Sequence, residues 1–474
     1  MDKRIYITTT LPYVNAKPHM GHALEFVRAD VYARYFRKVG YEVFANFGTD
    51  EHGKKIYEKA VEAKQTPQEY VDFYAGKFLE IKKLLNLSFD NFIRTTDANH
   101  VDAAIEFWKV CWNNGDIYKN KYKVKYCVGC ELEKQDSDLV NGECPDHLGR
   151  KIEEIEEENY FFRFSKYEKQ LLELYAKNPD FVVPESRFNE IKAFVSRGLS
   201  DFSVSRLKSK MPWGIDVPGD PEQVVYVWFD ALVNYIAAIG WPVDMEKFEK
   251  WWPVVQFCGK DNLRQQSAMW QAMLMSAGLP PSEKIFINGF VISGGQKMSK
   301  TIGNTIDPVE LVEGYGTDAL RYYVTRGMSI HEDSDMTEET FKLAYNSGLA
   351  GGVGNLTNRI LKMAEDCLSE PHVPKVGEYE DNFKKLVESY RLNEAMDLIW
   401  KKVTELDQRI QKDQPFKLVK TDKEKAAQVV RELIDGLAWI AEHLEIFLPD
   451  TSAKMAQAIK KGKKPEVPLF ARKD

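Results

Sequence analysis

The sequence predicts an α/β chain: a parallel-sheet domain split by an insertion and followed by an all-α helix bundle. Three observations carry this. Strand-like apolar runs alternate with helix-spaced segments over residues 1–115 and again over 223–345. A turn-rich, cysteine-bearing stretch over 116–222 interrupts the alternation. From 346 to 474 the strand-like runs stop and only helical spacing continues.

The first strand is Ile5-Tyr6-Ile7-Thr8-Thr9-Thr10, a β-branched and aromatic run bounded by Pro12 and Asn15. After Gly21 the spacing becomes helical, with Leu24, Val27, Val31 and Tyr35 recurring every three to four residues. Pro18-His19-Met20-Gly21-His22 therefore falls at a strand-to-helix junction. A helix start offers unpaired N–H groups and a positive dipole, which suit phosphate. Gly21 carries no side chain, so a flat ligand could approach the backbone there. Two solvent-facing cap histidines fit this stretch equally well. The second strand, Tyr41 to Phe47, ends in Gly48-Thr49-Asp50-Glu51-His52-Gly53. Two strands around one helix form a βαβ unit, and ligands of such sheets gather at the strands' carboxyl ends. The G-x-G-x-x-G fingerprint is absent, which argues against a nicotinamide or flavin dinucleotide.

In the insertion, Cys127-Val128-Gly129-Cys130 is followed, after thirteen intervening residues, by Cys144-Pro145-Asp146-His147. Two such knuckles supply four soft ligands, enough to close a tetrahedral zinc shell. Four ligands leave no open position, so one structural zinc is expected. The competing reading is four unrelated residues. The acidic run Glu153 to Glu158 reads as a solvated face. The strand-helix pattern resumes at Val224 to Asp230, Val254 to Asp261 and Lys284 to Gly289. Gly294-Gly295-Gln296-Lys297-Met298-Ser299-Lys300-Thr301 then combines a glycine loop with two lysines that can reach one polyphosphate. Alone, it fits a basic surface loop better. The bundle follows, with Leu349, Val353, Leu356 and Ile360 at helical spacing, then segments around 390–410 and 423–447. The basic tail Lys460 to Lys464 reads as a solubilising end.

Composition bounds the rest. At 474 residues, roughly three domains are expected. A net charge of −7 leaves any polyanion to be held by local patches. No apolar run is long enough to span a membrane, and Met1-Asp2-Lys3-Arg4 leads straight into a strand. The six unevenly spaced cysteines point to a reducing compartment, so a cytoplasmic location is expected.

Several of these stretches together resemble a known family. Pro18-His19-Met20-Gly21-His22 resembles the HIGH signature of class I aminoacyl-tRNA synthetases, and Lys297-Met298-Ser299-Lys300-Thr301 their KMSKS loop. Over nearly its whole length the chain resembles the methionyl-tRNA synthetase family. Thr10-Leu11-Pro12-Tyr13-Val14-Asn15, Gly48 to Gly53, Tyr226-Val227-Trp228-Phe229-Asp230-Ala231 and Gly259-Lys260-Asp261-Asn262 match its motifs. The knuckle resembles the family's one-zinc form, with histidine as fourth ligand.

The resemblance implies a Rossmann-like catalytic domain split by the zinc-knuckle insertion, and a helix bundle that binds the anticodon. It implies activation of L-methionine by ATP, with Mg2+, and transfer to tRNA(Met). His19, Gly21 and His22 would hold ATP phosphates, Gly259 and Asp261 the ribose, and Lys297 and Lys300 the pyrophosphate. Leu11, Tyr13, Asp50, Trp228, Ala231 and Tyr235 would form the methionine pocket, with Arg206 a weaker candidate. Without the family match, these aromatics read as core. Asn355 and Arg359 share a helix face and, with Phe416, would read the anticodon; the competing reading is a surface polar pair and a core ring. One departure stands out: Gln265-Gln266 occupies the place where the family usually shows Phe-His. A monomer is expected, because the further C-terminal domain of many relatives does not follow residue 474. Two other functions compete: a sibling synthetase for another apolar amino acid, and a tRNA-binding protein that has lost catalysis. The insertion is too short for the editing domain of the large-pocket siblings. The histidines and lysines, all in place, argue against lost catalysis.

Overall fold

The computed structural model describes residues 3–474 except 131, 135–137, 146, 148, 150–151, 298–305 and 376. It resolves into two compact units. The first comprises residues 1–18, 41–82 and 89–287, and the second 19–40, 83–88 and 288–474.

The first unit is built on a six-stranded sheet of β1 (Arg4–Thr9), β2 (Glu42–Thr49), β3 (Asn91–Arg94), β4 (Val182–Val183), β5 (Val254–Gly259) and β6 (Lys284–Asn288). Its spatial order is β3-β2-β1-β5-β6-β4. The pairs β1–β2, β1–β5, β2–β3 and β6–β4 are parallel, as the alternation of strand and helix spacing predicts. Strand order reverses between β1 and β5, and such a switch point opens a crevice at the carboxyl ends. Tyr6, Ile7, Ala45, Phe47, Val254 and Phe257 bury the sheet's faces. Gly48 is obligatory on β2, because a Cβ there would sit 1.8 Å from the Ile93 carbonyl oxygen of β3.

The reading of Val224 to Asp230 as a strand resuming the sheet is corrected. The strand Asp220–Val225 pairs antiparallel with Ser205–Leu207, away from the parallel sheet. From Val227 the chain is helical through Leu232. A short continuous apolar run carries no periodicity that separates a buried strand from a buried helix.

The insertion's main sheet joins Ile117–Cys127 and Glu153–Phe162 in a long antiparallel ladder, flanked by Leu132–Lys134 and Phe202–Ser203. The register sets Lys121 opposite Glu158 and Lys125 opposite Glu154. Opposite charges at facing positions support such a pairing.

The second unit is mainly helical. Its helices include Met20–Lys38, Asn355–Cys367, Leu392–Asp413, Lys423–Leu444 and Pro449–Lys461. Leu349, Val353, Leu356 and Ile360 are buried, as their spacing predicts. The helix Met20–Lys38 also buries charge. Arg28 donates to the Val324, Ser329 and Ile330 carbonyls, and burial lowers its pKa to about 10. Asp30 accepts from Ser88, Arg34 and, at 2.8 Å, from the fully buried Arg321. Arg321 also donates to the Phe447 and Leu85 carbonyls. Arg321→Met is expected to cost about 3–5 kcal/mol, because it breaks a buried ion pair with Asp30 and leaves the Phe447 and Leu85 carbonyls without their donor. Denaturant unfolding followed by circular dichroism checks this, and a loss below about 1 kcal/mol would contradict it.

Candidate functional site

The carboxyl ends of β1, β2 and β5 place the first group of residues. Beyond β1, Leu11 is buried and Tyr13 half-buried. The chain there is stitched to the end of β2: the Val14 N–H donates to the Asp50 carbonyl at 3.2 Å and the Asp50 N–H to Pro12 at 2.9 Å. Asp50 is buried, and so is Glu51 beside it. Glu51 accepts from Arg94 Nε and Nη2 at 2.7 and 2.8 Å and from the Thr49 and Thr96 hydroxyls at 2.6 Å. These acceptors, with Asp72, raise the Arg94 pKa above its ordinary value against the opposing effect of burial. At the end of β5, Gly259 leads into the turn Lys260–Asn262, where Asp261 is exposed and accepts from Asn262.

Trp228 and Ala231 share the short helix Val227–Leu232. The Trp228 indole nitrogen is buried without a hydrogen-bond partner among the described residues. Between them stands Asp230, whose carboxylate takes His52 Nδ1 at 2.7 Å and His100 Nε2 at 2.6 Å. Burial alone would raise its pKa, but the two imidazoles outweigh that and hold it at about 2. Sequence reading missed His52 and His100 as a pair around Asp230. The signal available was a lone carboxylate inside an apolar run, which demands a partner.

Tyr235 is buried, and its hydroxyl accepts from Gln266 Nε2 at 2.6 Å. Gln266 in turn accepts from Gln256 Nε2 at 2.8 Å, and Gln256 accepts from the Ser282 hydroxyl at 2.6 Å. The departure at Gln265-Gln266 is thus built into a relay of amides and hydroxyls. Arg206 is buried 4.2 Å from the Tyr226 ring centre and donates to the Ser203 hydroxyl.

In the second unit, His19 is the N-cap of the helix Met20–Lys38. Its Nδ1 accepts from the Gly21 N–H at 3.1 Å, and its own N–H donates to His22 Nδ1 at 3.3 Å. The two rings stack with centres 3.7 Å apart. Burial, then the neighbouring His19, pushes the His22 pKa well below 6.5. Farther along, Gly294 and Gly295 form a turn with φ of +62° and +73° between Val291–Ser293 and Gln296–Lys297. Their N–H groups donate to the Asp335 carboxylate. The Lys297 backbone belongs to this hairpin, whereas Lys300 and the rest of 298–305 lie outside the described residues.

The knuckle residues converge. The ligand atoms of Cys127, Cys130, Cys144 and His147 lie within 4.8 Å of one another. Cys130 Sγ stands 3.3 Å from Cys144 Sγ and 3.2 Å from His147 Nδ1, and Cys144 Sγ is 3.9 Å from that nitrogen. A tetrahedral zinc spaces sulfur and nitrogen ligands by roughly 3.5–3.8 Å, so the group fits a metal ion of that size and softness. Gly129 is required: a Cβ there would come within 2.4 Å of the His147 ring. Burial, then the Cys144 thiol, raises the Cys130 pKa, and a bound cation reverses that by favouring thiolates.

On the helix Asn355–Cys367, Asn355 is exposed and Arg359 is ion-paired with Asp407. A cavity of about 440 Å3 is lined by Arg359, Lys362, Ile410, Phe416 and Lys464. Phe416 is 46% exposed, so it is not a core ring. The structure brings Arg359 and Phe416 to one groove, while Asn355 is not among its lining residues. Lys464 of the basic tail forms part of the wall. No helix among the described residues is long and apolar enough to cross a membrane.

Comparison with known proteins matches this chain to the family described as tRNA synthetases class I (M), over residues 5–154 and 147–361. A methionine–tRNA ligase of Thermotoga maritima is 40% identical over 98% of this chain and 76% of the relative. One of Thermosynechococcus vestitus is 46% identical over 77% of this chain and 70% of the relative. Among solved structures, a Mycobacterium tuberculosis methionyl-tRNA synthetase in complex with methionyl-adenylate superposes with a TM-score of 0.92 at 33% identity, covering 99% of this chain and 100% of that one. The chain belongs to the methionine–tRNA ligase family of class I aminoacyl-tRNA synthetases.

Proposed function

We propose that this chain activates L-methionine with ATP, releasing pyrophosphate, and transfers the methionyl group to the 3′ end of tRNA(Met). The observation that carries it is a set of polar groups: a buried Asp50 carboxylate at the end of β2, a buried indole N–H on Trp228 with no hydrogen-bond partner among the described residues, and a fixed Tyr235 hydroxyl. They stand in a chain that matches, along its whole length, a relative solved with methionyl-adenylate.

The substrate carboxylate attacks the α-phosphate. It is already ionised at pH 7, so no general base is required. Catalysis is therefore positioning and charge stabilisation. Asp50 pairs with the substrate ammonium. Leu11, Tyr13, Trp228, Ala231 and Tyr235 surround the side chain, since a thioether packs well against rings. Gly259 gives close backbone approach and Asp261 accepts from a ribose hydroxyl. His19, Gly21 and His22 hold ATP phosphates from the helix start, with Mg2+ accompanying the nucleotide. Lys297 and Lys300 neutralise the departing pyrophosphate. Cys127, Cys130, Cys144 and His147 hold one structural zinc. Asn355, Arg359 and Phe416 contact the anticodon, where Phe416 offers a stacking face to an unpaired base. All six cysteines are unbridged, which supports a reducing, cytoplasmic setting.

Pyrophosphate exchange with the purified protein across the twenty amino acids tests this. Exchange is expected with methionine. Exchange with leucine but not methionine would overturn the specificity, and none at all would overturn the activity.

A further inference from the structure

We infer that Asp230, gripped by His52 and His100, is a positioning residue that sets the spacing between the Asp50 side and the Trp228–Ala231 side of the methionine pocket. The inference rests on the activity proposed above, and it concerns residues that do not themselves touch the substrate.

Asp230 is fully buried, and among the described residues its ion pairs are with His52 and His100. Its carboxylate oxygens each take one imidazole, and the two imidazoles come from different elements. His52 lies two residues past Asp50, in the segment after β2. His100 sits in the first turn of the helix Ala98–Asn113. Asp230 itself lies two residues after Trp228 and directly before Ala231. One carboxylate therefore ties together the segment that carries Asp50, the helix that carries Trp228 and Ala231, and the helix Ala98–Asn113.

Packing alone does not explain this arrangement. Val227, Phe229, Ala231 and Leu232 already anchor the short helix through buried apolar side chains. Another apolar residue at 230 would avoid the cost of desolvating a carboxylate. What the carboxylate adds is direction: two short hydrogen bonds fix both the rotation of the helix and the path of the segment. The other side of that segment is fixed independently, because Glu51 is held by Arg94, Thr49 and Thr96. Trp213 Nε1 also donates to the Glu51 carbonyl at 2.6 Å. Asp50 is thus bracketed by a neighbour anchored to β3 through Arg94 and, one residue on, by His52 anchored to Asp230. His100 Nδ1 has no partner among the described residues, so the hydrogen bond that orients its buried ring is the one to Asp230.

The test exploits which nitrogen donates. An asparagine amide can replace the Nδ1 donor of histidine, and a glutamine amide the Nε2 donor. His52→Ala and His100→Leu are expected to raise the methionine KM about tenfold to a hundredfold in pyrophosphate exchange, the range a small misplacement costs. The ATP KM should stay within about twofold. His52→Asn and His100→Gln are expected to restore methionine KM to within about threefold of wild type. Should the truncated variants fail to fold, His52→Asn against His52→Gln decides, since only the first keeps the donor in register. The inference is overturned if methionine KM stays within about twofold in the truncated variants. It is also overturned if methionine KM rises in step with a fall in melting temperature regardless of donor position. Absence of methionine-dependent exchange in the wild type would instead overturn the proposed activity, and this inference with it.

Discussion

Replacing His22 by alanine is expected to slow methionine-dependent pyrophosphate exchange by about 100- to 1,000-fold, the usual loss when one oriented donor to a developing charge is removed. Methionine KM should remain within about twofold. The geometry gives the reason. His22 Nδ1 is occupied by the His19 N–H, and His19 Nδ1 caps Gly21, so each ring is locked with Nδ1 as acceptor. In the neutral ring the proton then resides on Nε2, a fixed donor for phosphate oxygen that needs no ionisation. The sign of the pH dependence follows. Burial and His19 lower the His22 pKa, so the ring is neutral throughout pH 6.5–8 and contributes no inflection to the exchange rate there. The variant also loses one capping contact, a stability cost of about 1 kcal/mol, too small to account for the rate. Weakened methionine binding with an intact activation rate would show that His22 serves the amino acid rather than the phosphates.

Cys144→Ser is expected to reduce bound zinc from about one per chain to nearly none, measured by plasma mass spectrometry on the purified protein. Gly129→Ala should have a similar effect by another route. It adds no charge and removes no ligand, but its methyl group collides with the His147 ring that must face the metal. Both variants should make the stretch 127–147 more sensitive to limited proteolysis, because it connects the strands Ile117–Cys127 and Glu153–Phe162 and the metal would be its clamp. Methionine KM should change far less than zinc content, since four protein ligands leave no position for substrate. Undiminished metal in Cys144→Ser would refute the site.

The strand ends around the candidate site were legible in the sequence because the chain changes period there, whereas the roles of the residues at them came from the family resemblance. Thr9 to Tyr13, Thr49 to His52 and Gly259 to Asp261 each follow a β-branched or aromatic run, and strand ends are where ligands meet a parallel sheet. The knuckle was legible for a different reason: two short-range pairs fix four ligands, and the separation only has to permit closure. What misled was Val224 to Asp230, where an apolar run without period passes from strand to helix at Tyr226. The fold brings Phe416 to one cavity with Arg359 and Lys464, a grouping that residues separated by about fifty positions do not show in sequence.

By itself the sequence determined the alternation that makes the sheet parallel, the helical second half, the knuckle and the family. These depend on local period and fixed spacing, which survive in one dimension. Only the tertiary structure decided which polar groups are buried and what satisfies them. The helical spacing of Leu24, Val27, Val31 and Tyr35 marks one apolar face, yet the fold also buries Arg28 and Asp30 and meets them with carbonyls and Arg321. Asp230 finds His52 and His100 across 178 and 130 residues of chain, and Gln266 reaches Tyr235 across 31. A buried polar group's partner is selected by proximity in space, and no one-dimensional period records it.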